Sequence, residues 1–249
     1  MLEGWLAAGR DPASFTVVDP VREAAPGGIA ISRELPARGQ FGAILLGVKP
    51  QSLAEVAPQV ALLAGSDCVV LSLLAGVELE VLQHHFPAAK GLVRVMPNLA
   101  VSLGKAPVAL AAQGLDEAEC SALSDLMRPL GSPEWIGQDK FDLVTALAGS
   151  GPAFVYRFID ALGAAATRLG LPEEQARAMA LAMVEGAAAL AVQSPHDPGR
   201  LADMVASKGG TTRAGLDVLD EDGVLNGLVT ETLRAARDRS AEMTRDARA

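Results

Sequence analysis

The segment Ser207-Lys208-Gly209-Gly210-Thr211-Thr212 sets two adjacent glycines beside two adjacent threonines, between stretches of helical pattern. A helix-to-helix turn needs one glycine; a second lets the main chain bend with its amides turned outward. Amides presented in such a bend, close to the start of a following helix, form an anion site. Gly209, Gly210 and Thr211 are therefore candidates for gripping a small acid through main-chain N–H groups, with Ser207 as a further contact. The competing assignment is a plain helix junction capped by the threonines.

A second candidate is Asp19, which closes the apolar run Phe15–Asp19. In a doubly wound nucleotide-binding domain, an acid at the end of the second strand takes the ribose hydroxyls, about 20 residues after a glycine-rich turn. Counting back from Asp19 places that turn, and the strand before it, ahead of residue 1. Met1–Gly9 then reads as the rear of the first helix. The alternative is that Asp19 is a turn residue before Pro20.

The elements that must position these residues follow a βαβ rhythm. Apolar runs at Phe15–Asp19, Gly42–Val48, Cys68–Gly76 and Gly91–Asn98 suit a central parallel sheet buried on both faces. Ser52–Ala64 and Glu78–Phe86 are helical in period between them, and Ala106–Gln113 and Pro133–Gln138 read as late strands near the sheet edge. Beyond about Lys140 the pattern becomes helix after helix, interrupted at Gly149–Pro152 and restarted at Pro172. Shorter helices are expected at Pro198–Ala206 and after the glycines, and a last one from Leu225, with the charged tail from Arg234 fraying. The division is at residue 138: an incomplete dinucleotide-binding domain over 1–138 and a helical domain over 139–249.

Taken together, Leu45–Gln51 (LLGVKPQ), Val93–Ala100 (VRVMPNLA), Ala146–Leu162 (ALAGSGPAFVYRFIDAL) and Ala206–Leu216 (ASKGGTTRAGL) resemble pyrroline-5-carboxylate reductase in order and spacing. The resemblance implies a Rossmann-like α/β domain followed by an all-α domain that interlocks with a partner subunit as a homodimer or larger homo-oligomer. It implies reduction of the cyclic imine Δ1-pyrroline-5-carboxylate to L-proline with NADPH or NADH, in the cytoplasm. On that resemblance the carboxylate lies on the backbone of Gly209, Gly210 and Thr211, and the Thr212 hydroxyl faces the ring nitrogen. Val48, Lys49 and Pro50 lie beside the cofactor ribose, and Ala75 and Gly76 lie near the nicotinamide. Met96 and Pro97 end the next strand, and Asn98 orients the cofactor amide or ribose. The family's glycine turn has no counterpart within Met1–Gly9. Asp19-Pro20 suits the free hydroxyls of NAD, while Arg22 offsets the repulsion of a 2′-phosphate.

Composition limits the other classes. A formal charge of −9 argues against a nucleic-acid surface. The apolar stretch Ala178–Gln193 is too short to span a bilayer and carries Glu185, so no membrane association is expected. Cys68 and Cys120 lack the spacing of a metal or redox pair. Two alternatives stand beside the reductase: a non-catalytic or weakly active dimeric remnant of the fold, and a related β-hydroxyacid dehydrogenase. The latter needs a lysine in the first long C-terminal helix, and Phe141–Leu162 contains none.

Overall fold

The computed structural model describes residues Met1–Arg248, which divide into two compact units. One is formed by Met1–Ser150 together with the segment from Ala235, the other by Gly151–Arg234.

The first unit opens with α1 (Leu2–Ala7), then the short strands β1 (Val17–Val18) and β2 (Ile31–Ser32). Five strands follow: β3 (Ala43–Leu46), β4 (Val69–Ser72), β5 (Gly91–Met96), β6 (Ala106–Gln113) and β7 (Gly131–Trp135). They pair in the order β3-β4-β5-β6-β7, while β1 and β2 pair with each other as a separate parallel pair. The run Phe15–Asp19 thus yields two half-buried strand residues rather than a buried central strand.

Parallel pairing runs from β3 through β4 to β5, with Ala43 opposite Val69 and Val69 opposite Gly91. The crossovers are α2 (Leu53–Ala61) and α3 (Leu79–His85). The expectation of a parallel sheet fails at β5–β6, which is antiparallel. The connection, residues 97–105, holds only a short 3₁₀ turn at Leu99–Leu103, and so short a link cannot cross over to a parallel neighbour. β6 then regains a parallel neighbour, β7, across α4 (Glu117–Met127), a helix the sequence reading did not place. β7 is the edge strand and β6 its neighbour, so both late strands lie at the side of the sheet where the sequence placed them.

Each face of the sheet carries a core, as a doubly wound fold requires. Val70 and Leu92 meet Leu53, Ala57, Val60, Leu82 and Phe86 on one face. Leu71, Val93, Val95 and Leu110 meet Trp5, Leu123 and Met127 on the other. α4 begins with a reciprocal cap. Asp116 Oδ1 accepts from Glu119 N–H at 2.8 Å, and Glu119 Oε2 accepts from Asp116 N–H at 2.9 Å. Lys90 also pairs with Glu119, and this bond, followed by the Asp116 amide, holds the Glu119 carboxyl below its ordinary range.

After β7 come α5 (Phe141–Val144) and a π-helical turn at Thr145–Gly149. The second unit contains α6 (Gly151–Arg168), α7 (Glu173–Gln193), α8 (Pro198–Val205), α9 (Thr211–Asp220) and the start of α10 (Val224–Arg248). α6 and α7 pack closely where Gly163 faces the main chain of Arg177, beside buried Ala176 and Ala180. α7 starts at Glu173, ahead of the apolar stretch seen in the sequence, so the expectation of a segment too short for a bilayer is corrected. By length and composition alone it is long and apolar enough to cross a membrane, with 6% of its apolar window buried within the chain. Leu181, Met183, Leu190 and Val192 are all exposed on it. The expected fraying of the tail is also corrected: α10 remains helical, Thr244 is buried, and Ser240 bonds Asp142.

Replacing Asp116 with alanine is expected to destabilise the first unit by about 1 kcal/mol, the usual worth of such a cap. Because the Glu119 pKa is depressed in the fold, its contribution is present above the unfolded carboxyl value and lost as pH falls through the folded one. The penalty of Glu119→Gln, which removes that charge, should therefore shrink in acid when measured by urea unfolding.

Candidate active site

The parallel register of β3, β4 and β5 brings three chain turns to one edge of the sheet, since Leu46, Ser72 and Arg94 lie in a row across it. Val48, Lys49 and Pro50 follow β3, Ala75 and Gly76 follow β4, and Met96, Pro97 and Asn98 close β5. Open α/β sheets bind ligands beyond the carboxyl ends of such strands. Eight of the sequence-nominated residues are thus brought to the same edge.

Their local chemistry differs. Lys49 is exposed, and its carbonyl accepts from Ser52 N–H at 2.9 Å as the following 3₁₀ turn starts. Gly76 is buried with φ +76°, a conformation that side chains rarely adopt. A Cβ there would stand 3.0 Å from the main chain of Met243, so the end of α10 lies directly on this turn. Asn98 is committed within the chain: Oδ1 accepts from Ala100 N–H at 2.9 Å and Nδ2 donates to the Ala148 carbonyl at 2.9 Å. Asn98 thus caps the 3₁₀ turn after β5 and ties it to the π-helical turn. Met96 lies against Gly149 of that turn, so the GSGP interruption is built beside the end of β5.

Asp19 directly follows β1, which pairs with β2 and not with the five-stranded sheet. Its Oδ1 accepts from the main-chain N–H groups of Val21 and Arg22 at 2.8 and 2.9 Å. These bonds, the Arg22 amide first, hold its carboxyl below the ordinary value. Arg22 Nε lies 4.0 Å from Oδ2, and Arg33, anchored on the Pro20 carbonyl at 2.6 Å, adds a second guanidinium nearby. The carboxylate is a turn residue of the kind the Asp-Pro pair suggested, and it is also an ionised acceptor flanked by cations.

The glycine bend belongs to the second unit. Gly209 has φ +73°, and Gly210 is the N-cap of α9, with no side chain capping the helix. The junction capped by threonines is therefore not what forms. Gly210 N–H donates to the Ser207 carbonyl at 2.9 Å, so Gly210 shapes the bend instead of offering a free donor. The first intrahelical bond runs from Ala214 N–H to the Gly210 carbonyl at 3.2 Å. That leaves the amides of Thr211, Thr212 and Arg213 without partners inside the helix, at its positive end. Ser207, Thr211 and Thr212 are exposed.

Arg213 was not nominated from the sequence. It bridges Asp203 of α8 at 2.9 Å and Asp217 of α9 at 3.8 Å, fastening the helices on either side of the bend. Its i,i+4 spacing to Asp217 was readable; the tie to Asp203 required the bend itself. Among the described residues, no cluster of side chains suits a metal ion.

Gly76→Ala is expected to cost about 1–3 kcal/mol of unfolding free energy, through backbone strain and displacement of the end of α10. Denaturant unfolding of the variant measures it directly.

Comparison with known proteins gives a consistent picture. The family model described as pyrroline-5-carboxylate reductase dimerisation matches residues 138–243. Pyrroline-5-carboxylate reductase 2 of Bacillus subtilis is 34% identical over 205 residues, covering 80% of this chain and 72% of that one. The Aquifex aeolicus reductase is 37% identical over 201 residues, covering 80% and 74%. Among solved structures, a pyrroline-5-carboxylate reductase from Coxiella burnetii superposes with a TM-score of 0.89 at 28% identity, over 97% of this chain and 92% of that one. The Plasmodium falciparum pyrroline carboxylate reductase with NADP bound shares the fold, with a TM-score of 0.77 at 22% identity, over 97% and 92%.

Proposed function

The chain belongs to the pyrroline-5-carboxylate reductase family, and on that premise we propose that it reduces Δ1-pyrroline-5-carboxylate to L-proline with NADPH or NADH, the last step of proline biosynthesis. The observation that carries the reading is identity of 34–37% with named reductases over four-fifths of the chain.

Two binding tasks make up the activity, one in each unit. The nicotinamide, when bound, supplies a hydride to the C=N carbon. The edge formed by Val48–Pro50, Ala75–Gly76 and Met96–Asn98 suits the nicotinamide and its ribose, because three loops converge there beyond the carboxyl ends of parallel strands. Asp19 is an acceptor for the adenosine ribose hydroxyls of NADH, and Arg22 and Arg33 offer positive charge to the 2′-phosphate of NADPH. Both cofactors are therefore part of the proposal.

The substrate carboxylate is held at the start of α9. The amides of Thr211 and Thr212 donate to it, Gly209 and Gly210 make the bend that presents them, and Ser207 closes the rim. Thr212 Oγ1 faces the ring nitrogen. A protonated iminium accepts hydride more readily than a neutral imine and already carries the proton that proline keeps on nitrogen. Thr212 thus has to orient the ring rather than act as a strong acid, which fits a bend without a carboxylic acid pair. Functionally the division stays at residue 138, with nucleotide binding before it and substrate binding and dimerisation after it. The free thiols of Cys68 and Cys120 suit a reducing compartment, and a cytoplasmic setting belongs to the same reading.

Loss of the Thr212 hydroxyl in T212A is expected to lower kcat/KM for pyrroline-5-carboxylate by about 10- to 100-fold, the worth of a hydrogen bond to a charged group. Circular dichroism should be unchanged. Unaltered kinetics would remove the assigned role. The exposed apolar faces of α6 and α7 are covered by a second subunit, so light scattering at micromolar concentration should report a dimer or larger assembly and no monomer.

A further inference from the structure

Arg94 is the one buried charged residue of β5, with 3% of its surface exposed. Strand alternation puts it on the same face as Leu92 and Met96, between a purely apolar core and the cofactor edge. Its guanidinium lies 3.8 Å from the ring centroid of Phe141, itself buried. Desolvation pushes the guanidinium down to about 10, opposed first by Asp142 and then by Glu78, so it remains cationic at neutral pH. Asp142 accepts from Ser240 Oγ of α10 at 2.7 Å. Arg94 Nε and Thr244 Oγ1 are buried without hydrogen-bond partners. Glu78 is the N-cap of α3, directly after the Gly76 turn on which Met243 and Thr244 rest.

Two segments distant in sequence therefore face one cation, the Gly76–Glu78 turn and the start of α5, and the end of α10 is tied to both, through Ser240 on Asp142 and Met243 on Gly76. An apolar residue at position 94 would fill the space at lower desolvation cost. A planar cation does what an apolar residue cannot: it stacks on Phe141 and at the same time attracts acids from two other elements. We propose that Arg94, acting with Asp142 and Ser240, is a positioning residue that latches the end of α10 onto the Gly76 turn and so fixes the surface against which the nicotinamide lies. The proposal rests on the nucleotide-binding reading of that edge. Arg94 touches neither substrate nor cofactor in this role; it works through the turn.

The test compares Arg94→Lys and Ser240→Ala with the unaltered chain. Lysine keeps the charge but not the planar stack, and Ser240→Ala removes the tie to Asp142 without touching the sheet. Hydrogen–deuterium exchange over Gly76–Leu79, measured without cofactor, reads the latch. Fluorescence titration with NADH and NADPH reads its consequence. Both variants are expected to exchange faster at this turn and to bind dinucleotide about three- to tenfold more weakly. The KM for pyrroline-5-carboxylate and the thermal midpoint of S240A should stay near the parent values. Unchanged exchange at Gly76–Leu79 in both variants would overturn the latch. Faster exchange with unchanged dinucleotide affinity would overturn its positioning role. A parent chain that binds neither dinucleotide would refute the reading of the edge, and the positioning role with it, while the exchange data would still judge the latch.

Discussion

The row of main-chain hydrogen bonds that aligns β3, β4 and β5 in parallel is the constraint on which the nucleotide edge depends. Parallel strands in register start together and end together, so the turns after Leu46, Ser72 and Met96 must emerge side by side. The antiparallel return of β6 sets the limit of this edge. Met96 pairs with Ala109 and Leu92 with Gln113, so β6 brings its beginning to the edge and contributes no strand end. The usable surface is confined to three loops, and one of them, the Gly76 turn, is covered from behind by the end of α10. That cover is why a charged side chain is tolerated inside β5: Arg94 lies where the sheet, α5 and α10 meet, and a residue serving only the core behind Leu92 would have no reason to carry charge.

The helical unit follows a different rule. Its buried residues are small, Gly163, Ala176 and Ala180, so α6 and α7 gain close main-chain approach but little apolar area from each other. At about 25 cal/mol per Å² of apolar surface removed from water, such a pair is poorly stabilised alone. The large side chains point elsewhere: Val155, Tyr156, Phe158, Met179, Leu181 and Leu190 are exposed in the single chain. A family that dimerises through this region covers them with a second copy, and obligate interfaces of that kind resemble a core cut in half. The hydropathy that lets α7 pass for a membrane span is the same apolar surface, read without its partner.

Much of this was legible in the residues. Val- and Leu-rich runs located β3, β4 and β5 to within a few positions, because strands buried on both faces have few compositional alternatives. The Gly209-Gly210 pair marked the bend, since glycines are what a left-handed turn beside a helix start demands. What escaped the sequence were outcomes of long-range contact. The reversal of β6 depended on a connection too short for a helix. α4 does carry a plain capping signature in Asp116 and Glu119, a local signal at its start. The tail looked as if it should fray because its residues are mostly charged; it is held by three, Ser240, Met243 and Thr244, whose partners lie more than ninety residues away. Arg94 lies within VRVMPNLA, but nothing adjacent in sequence announces that Phe141 and Asp142 will meet it.

The anion chemistry at α9 follows from how the charges around it cancel. The whole chain is acidic, at −9, so a small carboxylate is not drawn in by net charge. Arg213 is the cation closest in sequence to the bend's free amides, yet Asp203 and Asp217 already engage it, which leaves little of its field for a ligand. The directional part of the attraction then comes from the uncapped amides of Thr211 and Thr212 and from the helix dipole, both short-ranged, beside the exposed cation of Lys208. Such a site holds a carboxylate only where it can sit against the main chain. A flat ring bearing one carboxylate meets that demand, while a bulkier anion is kept away by the same acidic surroundings. The ion pairs of Arg213 and the glycines of the bend thus share one task, presenting the amides in a fixed direction, while the exposed Lys208 of the same bend supplies its positive charge.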